Sequence, residues 1–258
     1  MLKMLKTEAP ETYQRLLKMP PDELQKALFD AWRTGVVPVR GMPKISLPEK
    51  GWNPKPIPAK LIVSNTIFYA RLDTISAETL KQLQQDMAES ARLASPPVGT
   101  IIDLRSAKNG DYRMVNRFAA LFQPPAGTGK SKYVFHSIPL AVLCGPKTGG
   151  AAELLAALLE HSRLGVTLGG TCSGTIFPVK PVVLENHLWI VPQIGDPAWR
   201  DIPPYPYRPV IAIPETEQVA PDRIGKVNLA NTDPSIRRAA DLLKSLNAVK
   251  GMLNSRKP

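Results

Sequence analysis

Gly149 and Gly150 sit in the run Thr148-Gly-Gly-Ala-Ala-Glu153, where a strand-like stretch passes into a helix-like one. Paired backbone N–H groups at a helix start form a pocket for a carbonyl or carboxylate oxygen. Two glycines also simply permit a tight turn, which is the commoner reason for the residue. Ser173, in Gly169-Gly-Thr-Cys-Ser-Gly-Thr175, carries a hydroxyl that attacks a carbonyl once a base removes its proton. Loops rich in serine and threonine are ordinary turn formers as well. Lys147 precedes Gly150 by three residues and is a candidate base, with a solvated loop lysine as the plainer reading. His136 titrates near neutrality and is a second candidate base, although no serine or cysteine is set beside it by spacing. A nucleophilic thiol also needs a neighbouring base, and none is placed for Cys144 or Cys172. Two buried free thiols are expected there, with a disulfide as the alternative in an exported protein. With His136, His161 and His187 scattered, no metal set is recognisable, and neither metal nor cofactor is expected.

These residues need elements to hold them. Short β-rich runs at 61–63 and 66–72, and apolar runs at 99–105, 140–144 and 164–168, read as strands. Helices are expected from Ser76, as N-cap, to about Ala94, over 113–122 and 150–161, and from Asp233-Pro234 to about Leu253. The stretch 181–191 reads as a hairpin turning at Glu185-Asn186. Residues 1–34 read as a helical head. Two proline-rich stretches, 36–60 and 196–225, admit neither helix nor central strand and read as extended arms. Alternating strands and helices imply an α/β fold with a mixed, largely parallel sheet. Its chemistry belongs at the carboxyl ends of the strands, in loops 105–111, 145–150 and 169–175. The expected division is 1–60, head and arm, and 61–258, core with its closing helix.

The loops carry an ordered series of motifs. Tyr69-Ala-Arg-Leu-Asp-Thr-Ile-Ser76 opens it. Thr100-Ile-Ile-Asp-Leu-Arg105 with Asn109-Gly110 follows, then Leu140-Ala-Val-Leu-Cys-Gly-Pro-Lys-Thr-Gly-Gly150, Leu168-Gly-Gly-Thr-Cys-Ser-Gly-Thr175 and Asp233-Pro-Ser-Ile-Arg-Arg-Ala-Ala-Asp-Leu-Leu243. Over roughly residues 62–245 the series resembles the core of the tail-specific (C-terminal processing) serine peptidases, a fold shared with Clp proteases and crotonases. The resemblance implies a serine nucleophile at the head of a helix and a lysine base 25 residues on. Here the matching positions are Gly150 and Thr175. Neither side chain does that work. Glu153 matches the family's acidic residue and is retained. The glycine-rich oxyanion loop reads Ser106-Ala-Lys-Asn-Gly110. The peptide-binding PDZ domain that precedes the core in most members has no room before residue 61.

The resemblance therefore implies a catalytically impaired homologue that binds a peptide C-terminus or a protein partner in the inherited groove. Asn109, Gly110, Gly149, Gly150 and Ala151 are its expected binding residues, with backbone N–H groups at 149–151 receiving the carboxylate. One alternative is an active serine-type peptidase with a relocated nucleophile, Ser173 first among Ser106, Ser131, Ser137 and Ser173. Another is a structural scaffold, with a homodimer among the expectations.

Composition fits these readings. Hydrophobic residues make up 43% of the 258 and charged residues 21%, as in ordinary globular domains. No apolar run reaches the ~18–20 residues of a membrane span. The formal charge of +11 favours acidic partners. Lysine and arginine are spread along the whole chain without a nucleic-acid-binding signature, so nucleic acid is not an expected partner. The start, Met1-Leu-Lys-Met-Leu-Lys, has no apolar signal core. The chain is then cytoplasmic or a trimmed form, and the family resemblance favours export.

Overall fold

A computed structural model describes residues 18, 55–63, 65–124, 134–184, 187–193, 195–203, 206–214 and 233–255. The expected helical head (but for Lys18), the first arm up to residue 54, Ser131, the Glu185-Asn186 turn and residues 215–225 of the second arm lie outside them.

The core is a six-stranded sheet in the order β1-β2-β3-β4-β5-β8. Its strands are β1 (Lys60–Ile62), β2 (Ile67–Arg71), β3 (Gly99–Asp103), β4 (Leu140–Cys144), β5 (Val166–Gly169) and β8 (Ile211–Ala212). The edge strand β1 runs antiparallel to β2, and every other pairing is parallel. Parallel strands buried on both faces need apolar residues in succession, which is what Gly99–Asp103 and Leu140–Cys144 supply, each buried throughout. The expected strand to Arg105 ends two residues early, because Arg105 turns back to bond Asp103.

Alternate strand residues line one face: Ile67 and Tyr69, Ile101, Ala141 and Leu143, Leu168. On them packs α4 (Pro234–Ser255) through Ile236, Ala239, Ala240 and Leu243, a helical i, i+3, i+4, i+7 stripe. Each fully buried Ile or Leu here contributes roughly 1.5–3 kcal/mol. The helix α3 (Ala151–His161), nearly all alanine and leucine and buried from Ala151 to Leu159, packs against β4 and β5 with none of its residues in that cluster. The short α2 (Val115–Ala120) lies against α3. A single 3-10 turn, Tyr112–Met114, replaces the expected start of that helix. The helix α1 (Ala77–Ser90) buries Thr79, Leu80, Leu83 and Met87. It is capped as expected by Ser76, whose hydroxyl accepts the Thr79 N–H at 3.2 Å.

The hairpin β6 (Val179–Leu184) and β7 (His187–Pro192) forms with antiparallel pairing. By packing, the chain divides into residues 1–45 with 177–204 and residues 46–176 with 205–258, so the hairpin groups apart from the core that precedes it. Among the described residues no helix is long and apolar enough to cross a membrane.

Candidate functional site

The three loops at the carboxyl ends of β3, β4 and β5 meet through their backbones. Gly149 N–H donates to Ala107 O at 3.0 Å and Asn109 N–H to Gly149 O at 3.1 Å, joining the first loop to the second. Ser173 N–H donates to Thr148 O at 2.9 Å, joining the third. Thr148, wholly buried, fixes the bend after β4. Its hydroxyl donates to Leu104 O at 2.8 Å and accepts the Gly145 N–H at 2.9 Å.

Gly150 heads α3 with φ 62° and ψ −135°. This is a sharp strand-to-helix elbow, a backbone shape that L residues adopt only under strain. A Cβ at 150 would stand 2.8 Å from Asn109 Cα. The loop backbone at Asn109 fills the place where a side chain at 150 would begin. Gly149 is packed as tightly: a Cβ there would clash with the Ser173 hydroxyl and stand 2.8 Å from Thr175 Oγ1. Gly150 N–H donates to Thr175 Oγ1 at 2.9 Å. The two positions that the resemblance pairs at 25 residues' separation are thus in direct contact, as an N–H and a hydroxyl. Of the N–H groups expected to face a ligand, Gly149 bonds within the loops and Gly150 bonds Thr175. Changing Gly150 to Ser is expected to cost about 2 kcal/mol or more from φ strain and displacement of Asn109. It should leave the protein without peptidase activity, since no amine stands at 175. Urea denaturation and a peptide-cleavage assay on the variant check both.

Glu153 is fully buried one turn into α3. Its Oε1 accepts Tyr207 N–H at 2.9 Å and Gly174 N–H at 3.1 Å, and its Oε2 accepts Thr175 N–H at 3.0 Å and the Ser173 hydroxyl at 3.2 Å. Burial pushes this carboxyl above its ordinary range, and the N–H and hydroxyl donors offset the push only in part. Ser173 itself is exposed, and its hydroxyl also bonds Thr175 Oγ1 at 2.8 Å. The Tyr112 hydroxyl donates to Thr175 O at 3.1 Å. Burial first, and then the Glu153 charge, raise its phenol above the usual range. Tyr112 and Tyr207 belong to the site and were not singled out by sequence. Tyr207 lies in a proline-rich stretch that reads as an arm, and it acts here through its backbone.

The remaining candidates separate. Lys147 is exposed on the loop. His136 and Ser137 lie in a 3-10 turn (Val134–Ser137) before β4 begins, at the strand end opposite the site. The Ser106 hydroxyl is buried with no hydrogen-bond partner among the described residues. Cys144 and Cys172 are free and buried. No group of three or more His, Cys, Asp or Glu residues that could hold a metal occurs among the described residues.

No protein-family model matches the sequence, and no curated protein matches it significantly. Solved structures do. The crystal structure of "a putative peptidase" from Parabacteroides merdae superposes with a TM-score of 0.50 at 16% identity, over 72% of this chain and 63% of that one. The photosystem II D1 C-terminal processing protease matches with a TM-score of 0.48 at 21% identity, over 66% of this chain and 48% of that one. The tricorn protease matches with a TM-score of 0.49 at 15% identity, over 72% of this chain and 18% of that one. The chain therefore spans about half the length of the D1 processing protease and under two thirds of the Parabacteroides protein. It shares the α/β fold of the latter.

Proposed function

We propose that this chain, built on a peptidase fold, is a non-catalytic member of that architecture that holds a peptide C-terminus or the chain of a protein partner against loops 106–110, 146–150 and 171–175. The observation that carries the reading is the contact between positions 150 and 175. A glycine without side chain or space for one faces a threonine hydroxyl, where the resemblance calls for a serine and a lysine. A hydroxyl hydrogen-bonded to an amide N–H can give way to a carboxylate, which is the stronger acceptor. A ligand carboxylate would take the Gly150 N–H in place of Thr175 and lie at the positive end of the α3 dipole. The net charge of +11 would assist the capture of acidic chains.

The relocated-nucleophile reading has one observation in its favour: Ser173 is exposed and bonded to a carboxylate. Against it, both Glu153 oxygens already hold the backbone N–H groups of Gly174, Thr175 and Tyr207, so taking the serine proton would give up acceptor sites that hold the loop.

Incubation with casein and with peptides bearing free apolar C-termini, read by mass spectrometry, tests the two together. No cleavage over days is expected. Fluorescence anisotropy should show labelled peptides with a free carboxylate binding about tenfold tighter than amidated ones, the loss of one charge-assisted hydrogen bond. Equal binding of both would sink the carboxylate reading. Cleavage that disappears in Ser173→Ala would replace it with the active peptidase.

A further inference from the structure

Cys144 is the last residue of β4 and pairs in register with Gly169 of β5. Cys172 follows Gly169 by three residues, in the loop that leaves β5 beside that strand end. The turn is held by Gly170 N–H donating to Cys144 O at 3.2 Å and by Cys172 N–H donating to Tyr207 O at 2.9 Å. Of the groups around it, the Cys172 thiol has the largest influence on the Cys144 thiol, which it pushes up. Both are free, with exposures of 1% for Cys144 and 6% for Cys172. Two buried thiols at the root of one loop, on adjoining strand ends, become a disulfide once movement of that loop brings their Cα atoms to about 4.4–6.8 Å.

We infer that Cys144 and Cys172 form a reversible dithiol–disulfide pair that fixes the 170–175 loop, with Ser173 and Thr175, to the end of β4. The oxidant is a small-molecule or protein disulfide. Cys172, the more accessible thiol, attacks it as thiolate, forms a mixed disulfide and releases one thiol of the oxidant. Cys144 then gives up its proton, and its sulfur displaces the second oxidant thiol. Two cysteine thiols are oxidised to one disulfide, and the oxidant disulfide is reduced to two thiols. The Cys172 thiol, burial and nearby acidic groups together push the Cys144 thiol well above its usual range, so it stays protonated and reacts only in the second step, where the mixed disulfide makes the attack intramolecular. The inference does not depend on the functional reading above.

The test uses the full chain, folded, with oxidised glutathione as probe. Intact mass is expected to fall by two hydrogens without retained glutathione. A non-reduced digest should join the peptides containing Cys144 and Cys172, and dithiothreitol should reverse the change. Amide hydrogen exchange at 173–175 should slow on oxidation, on the order of tenfold, because loop opening then carries the cross-link. In Cys144→Ala, oxidation should stop at one retained glutathione on Cys172. Two independent glutathione adducts on the wild type, a covalent dimer, or two thiols still free to alkylate after prolonged oxidation would each overturn the inference. So would a disulfide that leaves exchange at 173–175 unchanged.

Discussion

Replacing Glu153 by alanine is expected to destabilise the protein by about 3–4 kcal/mol near neutral pH, because it removes the common acceptor of Gly174, Thr175 and Tyr207 N–H and the Ser173 hydroxyl. Each buried donor left unmet costs about 1–3 kcal/mol. The relief of a desolvated carboxylate, and water entering the space, return part of the sum. Urea denaturation gives the magnitude, and its pH dependence gives the cause. Burial raises the folded-state pKa of Glu153 above its unfolded value. As pH rises through the unfolded value, near 4.3–4.5, the unfolded chain ionises first, and the wild type loses stability until the folded carboxyl ionises too. The alanine variant lacks that loss. The gap between wild type and variant should therefore be wider at pH 4 than at pH 7. A gap that widened with rising pH would mean that the N–H donors, not burial, dominate Glu153, and that the carboxylate is a net stabiliser of the loop.

The strands of the core were legible because a strand covered on both faces leaves a continuous apolar run, as in Leu140–Cys144, and the helices because their buried stripes keep helical spacing, as in Ile236, Ala239, Ala240 and Leu243. The edge strand β8 was not. Ile211 and Ala212 lie between Pro209 and Pro214, and a two-residue strand is too short to set a period against that proline signal. What its partner supplies is a sheet edge: Ile211 beside Leu168 and Ala212 beside Gly169. The same stretch contains Tyr207, so a segment dismissed as an arm carries a donor to Glu153 and the acceptor for Cys172 N–H.

At the site, the family resemblance paired positions 150 and 175, and the structure brings the Gly150 N–H onto Thr175 Oγ1. The resemblance did not foretell that Asn109 would stand where a side chain at 150 would begin. That approach is between backbones, Asn109 Cα against Gly150, and the side-chain alphabet does not encode it beyond the glycine that permits it. Glu153 shows the same division. The resemblance singled it out as an acidic residue, but its partners are mostly main-chain N–H groups, which every residue type offers alike.

The second large effect is expected at Arg105. Its guanidinium bonds both oxygens of Asp103, at 2.9 and 2.7 Å, and reaches Asp233 at 2.8 Å; the Tyr69 hydroxyl donates to Asp103 at 2.8 Å. Asp233 caps α4 through Ser235 N–H at 3.0 Å, so the cluster joins β2, β3 and the closing helix. Burial pushes the Asp103 carboxyl up, but the Arg105 charge and the hydrogen bonds override it, and Asp103 titrates below the usual carboxylate range. In the wild type its contribution is complete above the unfolded pKa, near 3.9, and is lost as pH falls through the lower folded value. Arg105→Met removes the guanidinium and leaves the buried Asp103 and Asp233 carboxylates without it, which should cost about 3–5 kcal/mol at pH 7. In the variant, burial without the guanidinium raises the Asp103 pKa, so the penalty should shrink towards pH 3–4, where that carboxyl is neutral. The gap from wild type thus widens with rising pH for Arg105 and narrows for Glu153. Two buried carboxylates, one beside a guanidinium and one among amides, should give pH profiles of opposite slope. A flat profile for Arg105→Met would mean that the arginine acts by packing its stem against Gly145 rather than by its charge.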